Sequence, residues 1–240
     1  MDAVRNQACH SFGDFEREAI YRAIFTRRDV RSHFQQRPID DAVLARLLTA
    51  AHHAPSVGFM QPWNFIVIRD PGRREAVRDL FLAARSQELT HIAEERQELY
   101  RKLKLEGICE SALNLCITCD RRRSEDSPLG RWHNPQMDLF STVCAVQNFW
   151  LAARAEGIGV GWVSILNADA LRDLLDIPDH VVPVAYLCVG HVSEFATRPD
   201  LERNGWASRL PLSDLVMSET YAGAGEDALK AAANTIAGRG

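Results

Sequence analysis

Two short segments carry the residues best suited to binding chemistry. Residues Arg27–Arg31 place three arginines within five positions, with Asp29 among them. Their guanidinium groups offer dense, fork-shaped donor capacity that suits a phosphate group or a ring carbonyl. Pro55 and Ser56 open a second segment, rich in small residues, that continues to Phe65. Such a turn lets the backbone approach a ligand. The first segment is therefore a candidate binding element because of its arginine donors, and the second because of its turn.

The residues of the arginine cluster permit more than one interpretation. The charges can form a solvated, basic helix end, which the helix dipole favours. Asp29 can be a structural ion-pair partner of Arg27 or Arg31. It can also be an acid–base group. Since a carboxylate beside a phosphate would repel it, Asp29 should then face a ring or a sugar, where it could take up or return a proton.

A glycine-rich segment at residues 157–164 ends in Trp162, Val163 and Ser164. Its glycines precede and enter a predicted strand, whereas the dinucleotide-binding fingerprint opens a helix after a strand. The segment is therefore predicted to be a strand with Ser164 at its tip. The Ser164 hydroxyl either donates a hydrogen bond to a ligand or satisfies a local amide.

The remaining polar and sulfur groups favour structural roles. Cys116 and Cys119 have the spacing of a redox motif, but residues three apart on a strand point to opposite faces, so buried core thiols are expected. One such pair lacks the four ligands of a structural zinc site, and no metal site is predicted. The arginines at 121–123 lie in a polar segment and are predicted to face solvent.

Length and composition predict one sizeable domain. A chain of 240 residues, 46% of them hydrophobic, can bury a large core. The net charge of −4 argues against a nucleic acid or a membrane surface as partner. Unclustered cysteines indicate reduced thiols and a cytoplasmic protein. Residues 1–11 lack the apolar core of a signal peptide, and no apolar run approaches the roughly 20 residues of a membrane span.

Apolar periodicity predicts an α+β fold in which helices surround a small sheet. The domain is predicted to cover residues 12–217, with flexible tails at 1–11 and 218–240. The helix at 139–155 is apolar nearly all round and must be covered on every side by the core or by a second subunit. The predicted helices are 14–26, 40–51, 73–105, 139–155 and 168–175, and the predicted strands are 65–68, 112–118, 158–165 and 181–189.

Long blocks of the chain resemble the 5,6-dimethylbenzimidazole synthase family, a branch of the nitroreductase superfamily. They include Arg27–Arg31, Pro55–Phe65 and residues 129–165, and the resemblance extends over residues 12–215. In the superfamily's usual forms of the two short motifs, serine stands where this chain has Asp29 and asparagine where it has Phe59. These departures separate the chain from ordinary nitroreductases.

The resemblance implies a nitroreductase-like fold with a small mixed sheet, in a domain-intertwined homodimer with two FMN sites at its interface. It also implies that reduced FMN is the substrate and molecular oxygen the co-substrate. Oxygen attacks the flavin, which is fragmented and contracted to 5,6-dimethylbenzimidazole, the lower ligand of vitamin B12, and erythrose 4-phosphate is released. A separate flavin reductase would supply the reduced FMN, and no metal takes part.

Carried over residue by residue, the resemblance implies catalytic roles for Asp29 and Ser164. Lys104 is a counterpart for a contact to the ligand's polar end, and Arg203 for a contact to phosphate. The implied FMN contacts are Arg27, Arg28, Asp29, Val30, Arg31, Pro55, Ser56, Lys104, Trp162, Val163, Ser164 and Arg203.

Two other functions stay open at this point. An NAD(P)H-dependent nitroreductase would hold and recycle FMN, although Asp29 in place of serine argues against it. A non-enzymatic flavin-binding protein would return FMN intact. The fate of FMN incubated with a reductant in air separates the three functions.

Overall fold

The computed structural model describes residues 11–123, 126, 129–221, 223 and 229–232. The chain divides into two compact units, Met1–Thr197 and Arg198–Gly240. The first unit contains the sheet and most of the helices. The tails predicted to be flexible, at 1–11 and 218–240, lie mostly outside the described residues.

Helices and strands alternate along the first unit, as expected for an α+β chain. In chain order, the elements are α1 (Asp14–Thr26), α2 (Asp41–His52), β1 (Trp63–Ile68), α3 (Pro71–Leu89), α4 (Glu94–Lys102), β2 (Leu113–Asp120), α5 (Met137–Ala155), β3 (Ile158–Val163), α6 (Ala168–Leu174) and β4 (Val181–His191). Helix α7 (Asp200–Arg203) and a 3₁₀ turn at Leu212–Leu215 belong to the second unit.

In the described part of the chain, the four strands form one sheet in the order β1-β2-β4-β3, and each neighbouring pair is antiparallel. The resemblance implied a mixed sheet. Parallel pairing among the described residues is confined to an isolated bridge between Asp29 and Val160. Pro183 pairs with Thr118 next to an irregularity in the β2–β4 register. A bulge suits proline because it cannot donate to a regular ladder.

The sheet is covered on both faces. Alternate residues of β2 face opposite sides, so that Leu113, Leu115 and Ile117 join the core formed with α2 and α5. Cys116 joins a second core formed with α3 and α6. The prediction that Cys116 is a buried core thiol is confirmed, and burial raises the pKa of this thiol to about 12. Strand β3 contributes to both cores, through Ile158 and Val160 on one face and Val163 on the other, and is therefore held from both sides.

One helix predicted from the sequence is two. The charged run at 73–105 divides into α3 and α4, because Thr90 ends α3 by directing both its N–H and its hydroxyl to the carbonyl of Gln87. Arg85 then donates to the carbonyls of Tyr100, Arg101 and Leu103 at the end of α4. This arginine secures the hairpin that leads into Lys104.

Helix α5 is buried over most of its circumference but not all of it. Phe149 and Ala153 are fully buried within the core, whereas Phe140 and Val143 are 48% and 41% exposed. The expectation that the core or a second subunit covers every side is therefore met by the core only in part. None of the described helices is long and apolar enough to cross a bilayer.

Candidate functional site

The arginine cluster follows α1 directly and lies against the edge of the sheet at β3. The N–H of Val30 donates to the carbonyl of Val160 at 2.9 Å, beside the bridge between Asp29 and Val160. A Cβ on Gly161 would overlap the carbonyl oxygen of Val30. Only glycine therefore permits this close approach between the cluster and β3.

Asp29 links the cluster to the end of β3 through both of its carboxylate oxygens. Its Oδ2 accepts a hydrogen bond from Arg31, whose side chain is largely buried. Its Oδ1 accepts the backbone N–H of Trp162 at 2.9 Å. The ion pair with Arg31, one of the two interpretations of Asp29, is thus present. The carboxylate is oriented by two donors, which is also the arrangement that an acid–base group requires.

Ser164 lies at the strand tip, as predicted. Val163 before it is buried in the core shared with α6, while Ser164 itself is exposed. The Ser164 carbonyl accepts the N–H of Leu166 at 3.0 Å and so turns the chain away from the sheet. The hydroxyl therefore stands at the surface, two residues beyond the amide that binds Asp29.

Positive charge concentrates between the cluster and the C-terminal half of α5. The guanidinium of Arg27 lies over the ring of Trp150, 4.7 Å from its centroid, a favourable cation–π geometry. The indole N–H of Trp150 donates to the carbonyl of Arg28 at 3.2 Å. Burial, and then repulsion by Arg22 and Arg28, lower the pKa of Arg154. Cations held this close together attract an anion.

Lys104 is adjacent to this region through the segment that follows it. A Cβ on Gly107 would lie 3.2 Å from the carbonyl oxygen of Arg31. The Lys104 ammonium lies 2.5 Å from Glu110 and 3.2 Å from Glu106. Burial lowers the pKa of Lys104, but the hydrogen bonds and charges of the two carboxylates outweigh it and raise the pKa overall. Lys104 therefore remains a cation.

Pro55 and Ser56 lie elsewhere in the protomer. The N–H of Val57 donates to the hydroxyl of Ser141, in the first turns of α5. Trp150, which contacts the arginine cluster, is nine residues further along the same helix. At 1.5 Å per residue, the two attachment points are about 14 Å apart along the helix axis. The two predicted segments therefore do not form one compact site within a single protomer.

Arg203 lies in the second unit of the chain. It is at the end of α7, where its guanidinium is 3.7 Å from Asp200. Its role as a phosphate contact stays a prediction.

The sequence misled about the arginines at 121–123. Arg123 donates to the carbonyls of Gln61 and Trp63 and to the side chain of Asn64, at 2.7–3.0 Å. Arg121 binds the fully buried Asp138 at 2.8 Å. These two arginines do not simply face solvent, as predicted. The signal that could have indicated this is the buried acid at the start of an apolar helix, which requires a cationic partner.

An open groove of about 730 Å³ lies beside β1, and its wall includes His52, Met60, Gln61, Trp63 and Arg123. None of the residues lining it belongs to the arginine cluster or to the end of β3. The groove therefore borders the Pro55–Phe65 segment and not the Asp29 side.

Comparison with known proteins identifies the family. The model of the nitroreductase family matches residues 24–191, which include the cluster, the Pro55–Phe65 segment and all four strands. This chain belongs to the nitroreductase family. Its resemblance to one branch of that family is also confirmed. The chain is 45% identical to the 5,6-dimethylbenzimidazole synthase of Rhodospirillum rubrum over 185 residues, which is 77% of this chain and 87% of that protein.

A second relative and a solved structure agree with this placement. The 5,6-dimethylbenzimidazole synthase of Rhodobacter capsulatus is 41% identical over 84% of this chain and 97% of its own length. The NADPH:FMN oxidoreductase of Vibrio harveyi superposes with a TM-score of 0.64 at 18% identity, covering 92% of this chain and 83% of that one. At such low identity this last likeness supports the nitroreductase fold alone.

Proposed function

We propose that this protein fragments reduced FMN with molecular oxygen, producing 5,6-dimethylbenzimidazole and releasing erythrose 4-phosphate. One observation carries the proposal. The carboxylate of Asp29 is bound to the N–H of Trp162, two residues before Ser164. The two residues to which the synthase resemblance attributes catalysis therefore lie at the same strand end, in a chain whose family binds flavins.

The arginine cluster fits an anionic, oxygen-rich ligand such as FMN. The Nε atoms of Arg28 and Arg31 are buried and have no hydrogen-bond partner among the described residues. Leaving a buried donor unpaired is costly, so an acceptor from a ligand would stabilise the site. Burial is the main cause of the lowered pKa of Arg154, and repulsion by Arg22 and Arg28 adds to it, so several cations lie close together beside the cluster. Phosphate oxygens and ring carbonyls are acceptors of the required kind.

Each side chain then has a task that its geometry supports. Reduced FMN, when bound, would supply the electrons that oxygen takes up and the carbon atoms of the two named products, and the pyrimidine ring of the flavin would leave as a third fragment. Asp29, fixed by Arg31 and by the N–H of Trp162, is positioned to hold or accept a proton at its carboxylate. Ser164 presents an exposed hydroxyl that can donate a hydrogen bond to the ligand. No metal has a part in these steps.

A second copy of the chain would complete the site. Pro55 and Ser56 are too far along α5 from the arginine cluster to contact the same part of a ligand within one protomer. A two-fold axis near the middle of α5 would place the start of this helix beside the end of the partner's α5. The exposed apolar side chains of Phe140 and Val143 suit such a contact. The proposed active form is therefore a homodimer with composite flavin sites.

The proposal requires a source of reduced flavin. A separate flavin reductase in the cytoplasm would supply it, since the proposed reaction consumes FMN and does not recycle it. An NAD(P)H-dependent nitroreductase is the alternative that family membership favours. In that case FMN would survive each turnover.

One experiment separates these functions. The protein is mixed with FMN reduced by an independent flavin reductase and NADH, air is admitted, and the flavin and its products are followed by mass spectrometry. Formation of 5,6-dimethylbenzimidazole and erythrose 4-phosphate in proportion to the FMN lost supports the proposal. Recovery of intact FMN with peroxide overturns it. Rapid NADPH oxidation with a nitroaromatic acceptor would then indicate a nitroreductase, and its absence a flavin-binding protein.

A further inference from the structure

The loop between β2 and α5, at residues 121–136, is held at its two ends by a buried carboxylate. Asp138, in the first turn of α5, is fully buried. Arg121, at the start of the loop, donates to its Oδ1 at 2.8 Å, and Arg131, near the end, forms an ion pair with its Oδ2 at 3.1 Å that lacks the geometry of a hydrogen bond. Arg131 also donates to the carbonyl of Arg121 at 2.8 Å. One acid thus joins the two ends of the loop, aided by the positive end of the helix dipole.

The loop packs closely on the start of the Pro55–Gln61 segment. A Cβ on Gly58 would lie 2.9 Å from the carbonyl oxygen of Leu129, and a Cβ on Gly130 would lie 2.6 Å from the side chain of Val57. The two backbones therefore touch without room for a methyl group. Their contact depends on where the loop is held.

The same loop also binds the C-terminal part of this segment, through Arg123. Arg123 donates to the carbonyl of Gln61 at 2.8 Å and to that of Trp63 at 3.0 Å. In between, the N–H of Val57 donates to Ser141, one turn along α5 from Asp138. The conformation of the segment is consequently fixed by the loop on one side and by the first turns of α5 on the other.

The backbone of the segment needs such external support. Phe59 and Gln61 have φ angles of 53° and 47°, in the left-handed region that side chains disfavour, whereas Gly58 adopts its φ of 57° without this cost. Strained residues of this kind persist only where the surrounding structure holds them, and they concentrate at binding sites.

We propose that Asp138, with Arg121 and Arg131, is a positioning group for flavin binding: it fixes the loop that in turn fixes Pro55, Ser56 and the strained residues after them. The inference rests on the proposed function, because that is what makes the segment a flavin contact. It adds residues that touch no part of the flavin themselves and act through the segment.

The test removes one of the two arginines that bind Asp138. In Arg131→Gln, Asp138 retains Arg121, so the protein should fold, while the loop loses its second anchor. The dissociation constant for oxidised FMN, measured by fluorescence quenching on protein shown by circular dichroism to be folded, should rise by about 10- to 100-fold, by analogy with the loss of residues that orient metal ligands. Arg131→Lys should recover most of the affinity. Arg46→Gln, which removes the ion pair with Glu156 elsewhere on α5, should bind FMN as the wild type does.

A second variant reaches the same segment by a different route. Gly130→Ala leaves the ion pairs intact, but Gly130 has a φ of 73°, which a side chain disfavours, and the new methyl group would crowd Val57. Both effects should displace the loop from the segment, so this variant should weaken FMN binding in the same way as Arg131→Gln. If both variants are folded and bind FMN with wild-type affinity, or if they only lower the unfolding temperature, the positioning role is wrong. If Arg131→Gln does not fold, Gly130→Ala and Arg131→Lys decide. Wild-type protein that returns FMN intact would instead contradict the proposed function and leave the binding comparison valid.

Discussion

At the level of single residues, Asp29 combines a structural and a chemical part. Its ion pair with Arg31 and its hydrogen bond to Trp162 account for its place in the fold without any reaction. The same two donors hold the orientation of the carboxylate, which a group that exchanges protons with a ligand needs. The structural and the chemical role of Asp29 can be separated by substitution, because only the chemical role requires a carboxylate that can take up a proton.

Asp29→Asn should retain FMN but lose product formation by about 100-fold or more, since the amide cannot exchange a proton. Its oxygen can still accept the N–H of Trp162, so the join between the cluster and β3 should persist. FMN affinity and the yield of 5,6-dimethylbenzimidazole should be measured on the same preparation. Asp41→Asn, which breaks an exposed ion pair with Arg69, is the matched control. Undiminished turnover would reduce Asp29 to an ion-pair partner.

Ser164→Ala should slow fragmentation more than it weakens FMN binding. One neutral hydrogen bond contributes about 0.5–1.5 kcal/mol to binding, whereas a donor aimed at developing charge can contribute about 2.7–4 kcal/mol to the barrier. Titration with FMN and single-turnover oxidation of bound, reduced FMN provide the two numbers. A collapse of affinity with an unchanged chemical rate would make Ser164 a binding residue only.

The sequence predicted that Ser164 lies at a strand tip, and the structure confirms that position, while the catalytic roles of Asp29 and Ser164 stay predictions. It did not locate the contacts of Arg121 and Arg123, since a run of arginines looks the same whether it faces solvent or a set of carbonyls. Their partners, Asp138 and Gln61, are distant in the chain, and only the folded structure brings them close.

At the level of elements, apolar periodicity was sufficient for α5 and the four strands but not for the break between α3 and α4. That break depends on Thr90 and on the three carbonyls that Arg85 binds, which are tertiary and capping contacts. Nor does periodicity reveal that the chain after α1 runs alongside β3 and approaches it closely at Gly161. A close backbone approach of this kind depends on a single missing Cβ.

Gly161→Ala should therefore destabilise the protein and disrupt flavin binding together. The new methyl group would overlap the carbonyl of Val30, and relieving such an overlap typically costs about 1–3 kcal/mol. Chemical denaturation and FMN titration check the two effects. Gly72→Ala, in the first turn of α3, adds the same methyl group at an ordinary contact distance and should not lower stability. A stable Gly161→Ala protein with normal FMN affinity would show that the close approach of Val30 to Gly161 is needed neither for stability nor for FMN binding.

At the level of the whole molecule, the protomer leaves apolar surface exposed, and the proposed flavin site needs a second copy of the chain. In α1, which the structure describes in full, no residue is buried, and Phe15, Tyr21 and Phe25 are more than half exposed. Phe140 and Val143 add to this surface on α5. Contiguous apolar side chains of this size usually mark an interface, and a second copy would also bring Pro55 and Ser56 to the arginine cluster.

Val143→Arg should convert a dimer into monomers, because it places a charge in the proposed contact. The protomer itself should tolerate the change, because the Val143 side chain is already 41% exposed. FMN affinity should fall about 100-fold, since each monomer would lose the hydrogen-bonding groups of the partner's segment, worth about 1 kcal/mol or more apiece. Light scattering coupled to size-exclusion chromatography reports the mass, and fluorescence quenching reports the affinity. Leu82→Arg, at a side chain 44% exposed on α3, places the same charge on the opposite side of the sheet and should remain dimeric. A monomeric Val143→Arg protein that binds FMN as tightly as the wild type would contradict a site shared between two protomers.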